Sequence, residues 1–234
     1  MGKRQTSNTG DSSEEREPEK LKKRRRSPDP HEQEDFDHEH MEELSPLLIA
    51  KAKRVNGVPT STQIELVASR NGINLVPFRG SVDLVLDGAD QVDDQLNLVK
   101  GGGGALLKEK VVMGSARDIA VVAAENKFSH RLCEKGVRVP VEVVPMARES
   151  AKLRLSRLGG VPEERLMPKG YPYFTENGNI ILDTMFEPLD DPARLEARLK
   201  SVPGVAEVGI FTFKPITVYK LKDDGTFDAL KIGE

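Results

Sequence analysis

The chain has 234 residues, with 35 Lys and Arg against 38 Asp and Glu for a net charge of −3, and a single cysteine, Cys133. That length suits one moderate or two small domains; the slight acidity argues against a dedicated nucleic-acid binder, and a lone cysteine excludes an intrachain disulfide framework and suits a reducing compartment. No apolar run approaches membrane-spanning length and the N-terminus lacks a secretory hydrophobic stretch, so a soluble cytoplasmic protein is expected.

Residues 1–43 are almost entirely Lys, Arg, Asp, Glu, Ser, Pro and His, a composition that cannot bury enough apolar surface to offset ordering entropy, and they are expected to be a disordered tail. Within it the basic run Lys22–Arg26 fits a nuclear address or nucleic-acid contact, or a solvated run neutralised by the acidic stretch from Glu32 to Glu43. His31, His38 and His40 stand among carboxylates but without the fixed surroundings a selective metal site needs. Ser45-Pro46 reads as the cap and first turn of a helix over Leu47–Ala52, and Ser61 as the cap of a second helix ending near Gly72. Strands are expected at Ile73–Val76, Val82–Leu86 and Ile119–Ala123, with a strand from Gln95 to Val99 running into glycines and a helix from Ala105 to Val112. This is the α/β pattern of a Rossmann-like, mainly parallel sheet.

From about Val137 the pattern changes to a strand at Val139–Val144, a helix near Ala147–Leu158, a hairpin turning at Asn177-Gly178, a helix at Pro192–Lys200 and a strand at Val205–Phe213. It reads as a small inserted α+β unit of the split, ferredoxin-like kind. A closing hairpin of Ile216–Leu221 and Phe227–Ile232 should return to the first domain. The expected division is therefore a tail at 1–43, an α/β domain at 44–136 and 214–234, and an insert at 137–213. Tyr171, Tyr173 and Phe174 read as ordinary packing, with a base-stacking platform as the alternative.

The densest chemistry lies in Asp87-Gly88-Ala89-Asp90, Lys100 with Gly101–Gly104, and Glu109-Lys110. Two carboxylates end a strand, an ammonium precedes a four-glycine turn, and a further carboxylate opens a helix. Glycines let backbone amides face a site without Cβ interference, and a helix start adds unsatisfied donors, so the loop favours an anion. Taken singly, the glycines could be a flexible turn, Asp87 and Asp90 an Asx turn, and Glu109 an ordinary surface carboxylate. The run lacks the Lys-Ser/Thr of a P-loop and the third glycine of a dinucleotide fingerprint, and Asp87, Asp90, Asp93 and Asp94 do not fit a calcium loop.

Asp-Gly-Ala-Asp, then Lys-Gly-Gly-Gly, then Glu-Lys nine residues beyond that lysine resembles the signature of the type A ribose-5-phosphate isomerases. The likeness continues in Asp118–Lys127, Val139–Met146, Leu158–Pro162, Asn177–Asp183 and Pro203–Phe211, and so covers about Gly57 to the C-terminus. The resemblance implies that Glu109 is the general base moving a proton between C1 and C2 through an enediolate, that Lys100 stabilises the developing oxyanion, and that Asp87 helps open the furanose ring. Gly88, Ala89, Asp90, Gly101, Gly102 and Gly103 would shape the pocket, and Lys127 would meet the substrate's anionic end or hydroxyls. It further implies a sugar-phosphate substrate, no metal or organic cofactor and a homo-oligomer (dimer or tetramer), while the composition and apolar run lengths argue against membrane and nucleic-acid partners. One departure is large: the family's first strand and its Gly-Thr-Gly-Ser-Thr phosphate loop have no counterpart in this sequence, and Thr6–Gly10 follows no apolar run. Losing a central strand should expose its apolar neighbours. The alternative function is therefore a truncated or degenerate homologue, acting as a subunit or sugar-phosphate-binding module without turnover.

Overall fold

The computed structural model describes residues 55–232. The charged tail with its basic run and histidines, and the helix expected after Ser45-Pro46, lie outside the described residues. The described chain begins with β1 (Asn56–Gly57), α1 (Thr62–Arg70) and β2 (Asn74–Leu75), the two short strands paired in parallel. Ser61 caps α1 as its type and position predict: its hydroxyl accepts the Ile64 amide at 3.2 Å.

β3 (Val82–Gly88) is the expected apolar strand, followed by β4 (Gln91–Val92) and β5 (Leu98–Val99). The strand expected over Gln95–Val99 is shorter, because the Asp93 carboxylate gathers the amides of Gln95 and Asn97 at 2.9 and 2.7 Å and Leu96 takes a left-handed φ of 55°. Those bonds make a tight turn, so pairing starts only at Leu98. The glycine run leads into α2 (Leu106–Met113), then β6 (Ala116–Ala124).

Next come β7 (Val139–Val143), α3 (Arg148–Arg157), β8 (Val161–Glu164), β9 (Ile180–Met185), α4 (Pro192–Lys200) and β10 (Val205–Val208). α4 occupies the predicted span, started by Pro192 at its first turn and by Asp191, whose carboxylate accepts the Arg194 amide at 3.0 Å. The chain closes with β11 (Ile210–Phe211), β12 (Ile216–Leu221) and β13 (Phe227–Ile232).

The main sheet has the order β13-β12-β6-β3, with β3, β6 and β12 parallel and β13 antiparallel at one edge. The second sheet has the order β10-β7-β9-β8 with every pairing antiparallel, giving a strand-helix-strand-strand-helix-strand unit. One of its faces packs Val139, Val141, Val143, Ile180 and Leu182 against Ala151 and Leu155 of α3 and Leu199 of α4. Ile181 points the other way, into a second core with Val85, Val121 and Val218 of the main sheet, Leu106 and Met113 of α2, and Phe211.

The strand expected as one piece over Val205–Phe213 is two, β10 and β11, lying in different sheets. The break falls at Gly209, whose amide donates to Pro140 O at 2.7 Å and whose carbonyl accepts the Lys100 amide at 2.9 Å. A Cβ there would come within 2.8 Å of Pro140 Cδ, so only glycine lets the backbone change sheets at this approach. β11 then pairs with β5, and β5 with β4, in a small antiparallel sheet beneath the glycine loop.

Among the described residues β3 forms the other edge of the main sheet, and Leu84 and Leu86 on it are 57% and 56% exposed.

Candidate active site

β3 and β6 run in parallel, and the ends of such strands are where an α/β sheet leaves a crevice for ligands. Asp87 and Gly88 end β3, Lys127 closes a short 3-10 turn directly after β6, and Lys100 follows β5. Glu109 sits in the first turn of α2. These residues converge.

Lys100 is the centre. Its ammonium is 2.9 Å from Asp87 Oδ2, donates to Gly88 O at 2.6 Å and lies 3.5 Å from Glu109 Oε2, with only 3% of its side chain exposed. The Phe211 ring lies beneath it, 5.7 Å from the nitrogen to the ring centroid. Burial works against the ammonium, but the charges of Asp87 and Glu109 outweigh it and hold the Lys100 pKa above its ordinary value. Asp87 is fixed from behind by the Gly88 amide, which donates to Oδ1 at 2.8 Å. Ala89 is partly buried against the core.

Glu109 has the opposite balance. Burial pushes its carboxyl up to about 7; Lys100 pulls it down, while Asp87 and Asp90 add to the rise. Its Oε2 is buried with no hydrogen-bond partner. A carboxyl near neutrality beside a buried ammonium can take up and return a proton at neutral pH.

Asp90 lies across the glycine loop, where its Oδ2 accepts the Gly102 amide at 2.8 Å. Burial raises its pKa, against that hydrogen bond and the charges of Lys100, Lys127 and Arg165. A Cβ on Gly102 would fall 2.7 Å from Asp90 Oδ1, so glycine is what lets loop and carboxylate meet. Of the residues expected from the sequence, Asp87, Gly88, Lys100 and Glu109 meet through direct contacts, Asp90 meets Gly102, and the charge of Lys127 reaches Asp90.

Two groups have no role assigned from the sequence. Lys110, beside Glu109, turns inward: its ammonium donates to Glu196 Oε1 at 2.7 Å and to the carbonyls of Val208 and Ile210 at 2.6 and 2.7 Å, with the Phe211 ring centroid at 4.5 Å. It ties the helix bearing Glu109 to α4, β10 and β11. Arg165, just past β8, donates from Nη1 to Gly101 O and Gly102 O at 3.0 and 2.6 Å, while Nε and Nη2 grip Asp183 of β9 at 2.8 and 2.5 Å. Tyr173 Oη reaches Gly103 O at 3.3 Å. The other two aromatics of that segment, Tyr171 and Phe174, are 68% and 54% exposed and make no platform with it.

Residues 56–225 match the family described as Ribose 5-phosphate isomerase A (phosphoriboisomerase A). The chain belongs to that family. It is 40% identical over 197 residues to the ribose-5-phosphate isomerase A of Methanothermobacter thermautotrophicus, covering 83% of this chain and 84% of that one. The enzyme of the same name from Methanosarcina acetivorans is 42% identical over 174 residues, 73% of each chain. A solved D-ribose-5-phosphate isomerase in complex with phospho-erythronic acid superposes with a TM-score of 0.75 at 37% identity, covering 80% of this chain and 84% of the other. Ribose 5-phosphate isomerase A from Methanocaldococcus jannaschii gives a TM-score of 0.69 at 36% identity, covering 76% and 79%. Among the described residues no helix is long and apolar enough to cross a membrane.

Proposed function

We propose that this crevice is the proton-transfer site of an aldose–ketose isomerase, with Glu109 as the base. The chain interconverts D-ribose 5-phosphate and D-ribulose 5-phosphate by moving a proton between C1 and C2 through an enediolate. The observation that carries the assignment of roles is the buried pair: a carboxyl held near neutrality 3.5 Å from an ammonium that Asp87 and Gly88 fix in place.

From the open-chain aldose, Glu109 takes the C2 proton and returns it to C1, acting as base and then as acid, while the hydroxyl proton on the C2 oxygen passes to the C1 oxygen so that the carbonyl ends at C2. A pKa near the working pH serves both steps. As C2 loses its proton, negative charge grows on the carbonyl oxygen at C1, and the Lys100 ammonium, already desolvated and oriented, stabilises it there. Asp87 accepts from a substrate hydroxyl and assists ring opening. Gly88, Ala89, Asp90 and the glycine loop shape the pocket around the sugar carbons, and Lys127 meets the anionic end or its hydroxyls. A phosphorylated four-carbon hydroxy acid such as phospho-erythronic acid presents a carboxylate where the enediolate oxygens would develop, and should compete with substrate here.

We read residues 137–213 as an inserted ferredoxin-like unit within a catalytic unit of 44–136 and 214–234; the fourth-first-third-second strand order of the second sheet supports this. The buried, unpaired Cys133 fits a cytoplasmic setting. A homo-oligomer, dimer or tetramer, is the expected assembly, and light scattering on the full chain tests it.

The test of function is ribose 5-phosphate with the full chain in deuterated water, followed by proton NMR. Ribulose 5-phosphate should form, with deuterium entering at C1 because a proton carried on Glu109 exchanges with solvent. Failure of the folded chain to form the ketose refutes the proposal.

A further inference from the structure

We propose that Arg165 is a positioning residue for this site: its guanidinium holds the carbonyls of Gly101 and Gly102, and thereby aims Asp90 and Lys100 into the crevice. The inference rests on the isomerase reading above and adds to it a residue from the second sheet's unit.

The geometry begins with Asp183 on β9, the central partner of β7 and β8 in that sheet. Its carboxylate takes Nε and Nη2 of Arg165 in a two-point grip at 2.8 and 2.5 Å, which fixes the plane of the guanidinium. Nη1 is left facing the loop and donates to two successive carbonyls, Gly101 O and Gly102 O. Arginine's planar array of donors allows both engagements at once, which the single nitrogen of a lysine cannot reproduce.

The consequence for the site passes through one peptide plane. In a trans peptide the C=O and the next N–H point in opposite directions. Gly101 O points at Arg165, so the N–H of the same peptide, that of Gly102, points away from it and meets Asp90 Oδ2 at 2.8 Å. Arg165 and Asp90 thus stand on opposite sides of one rigid unit, and glycines on both sides of that peptide leave its orientation to be set by its hydrogen bonds. Tyr173 holds the next carbonyl, Gly103 O, from the same side as Arg165. Lys100 immediately precedes the held segment, so a rotated Gly101–Gly102 peptide would also shift the ammonium that faces Glu109.

The test compares Arg165→Met, Arg165→Lys and the double variant Arg165→Met with Asp183→Leu against the unaltered chain. Three readouts are taken: melting temperature, amide exchange at Gly102, and the separate kcat and KM for ribose 5-phosphate. Arg165→Met leaves Asp183 without its partner and should melt earlier. The double variant removes that orphaned charge and should regain most of the melting temperature. If Arg165 positions the loop, the double variant still exchanges the Gly102 amide at least about tenfold faster and turns over at least about tenfold slower in kcat, with KM changed less than kcat. Arg165→Lys should fall on the same side. Recovery of parental kcat in the double variant, or unchanged Gly102 exchange, overturns the proposal and reduces Arg165 to a counter-charge for Asp183. If the unaltered chain forms no ketose, the isomerase reading fails on its own, and Gly102 exchange still decides whether Arg165 sets the loop.

Discussion

Replacing Glu109 with glutamine should make the protein more stable near pH 8 while abolishing turnover. Burial raises the folded carboxyl from 4.5 to about 7. A group whose folded pKa is raised stabilises the fold in its protonated form; that contribution is complete below about 4.5 and is lost as pH rises through about 7. Near pH 8 the unaltered chain therefore carries an ionised carboxylate whose burial costs on the order of 3 kcal/mol, and near pH 5 less than about 1 kcal/mol. The side chain is 15% exposed, so solvent screening removes only a minor part of this. Glutamine keeps the shape and hydrogen-bonding atoms of the protonated acid and never ionises. Urea unfolding of both proteins across pH 5 to 8 reads the difference: Glu109→Gln should gain on the parent as pH rises, by roughly 3 kcal/mol near pH 8. Parallel curves, or a variant less stable than the parent near pH 8, would show that Glu109 is not a strained carboxylate and would remove the basis for its role.

Four further outcomes are expected. The kcat/KM of the unaltered chain should climb with pH through about 7 as Glu109 ionises in the free enzyme, and a flat profile between pH 6 and 8 would contradict the assignment. Lys100→Met should lower kcat by roughly 10²–10³, since it withdraws the charge facing the developing oxyanion; steady-state kinetics with circular dichroism as the folding control measures this. Gly102→Ala forces a Cβ to 2.7 Å from Asp90 Oδ1, so kcat/KM should drop about 10-fold to 100-fold in a folded protein. Lys110→Met should destabilise by roughly 3–5 kcal/mol in urea unfolding, because Glu196 and Glu207 lose a buried partner.

Local chemistry made much of the chain legible. The Ser61 cap, the helix start at Pro192 and the turn at Asn177-Gly178 each act over a few residues, and the elements they bound formed where the sequence placed them. The meeting of Asp87, Lys100 and Glu109 was legible for the same reason, since they lie in one strand-loop-helix stretch. What escaped depends on long-range approach. Arg165 meets Gly101 across 64 residues, and nothing around it in sequence distinguishes it from a surface arginine. Lys110 reads as the polar neighbour of Glu109 until α4 and β10 close over it. The break at Gly209 follows from contact with Pro140 and Lys100, which no local propensity encodes.

The central claim is that Glu109 carries the proton in this chain. The most direct test is the initial rate of ribulose 5-phosphate formation by the full chain and by Glu109→Gln, at neutral pH and matched folded concentration. The unaltered chain should turn over, and the variant should lose at least about 10³-fold in kcat, beyond the usual contribution of a general base alone because the same group also returns the proton. A variant retaining more than about a tenth of the parental rate would contradict the account.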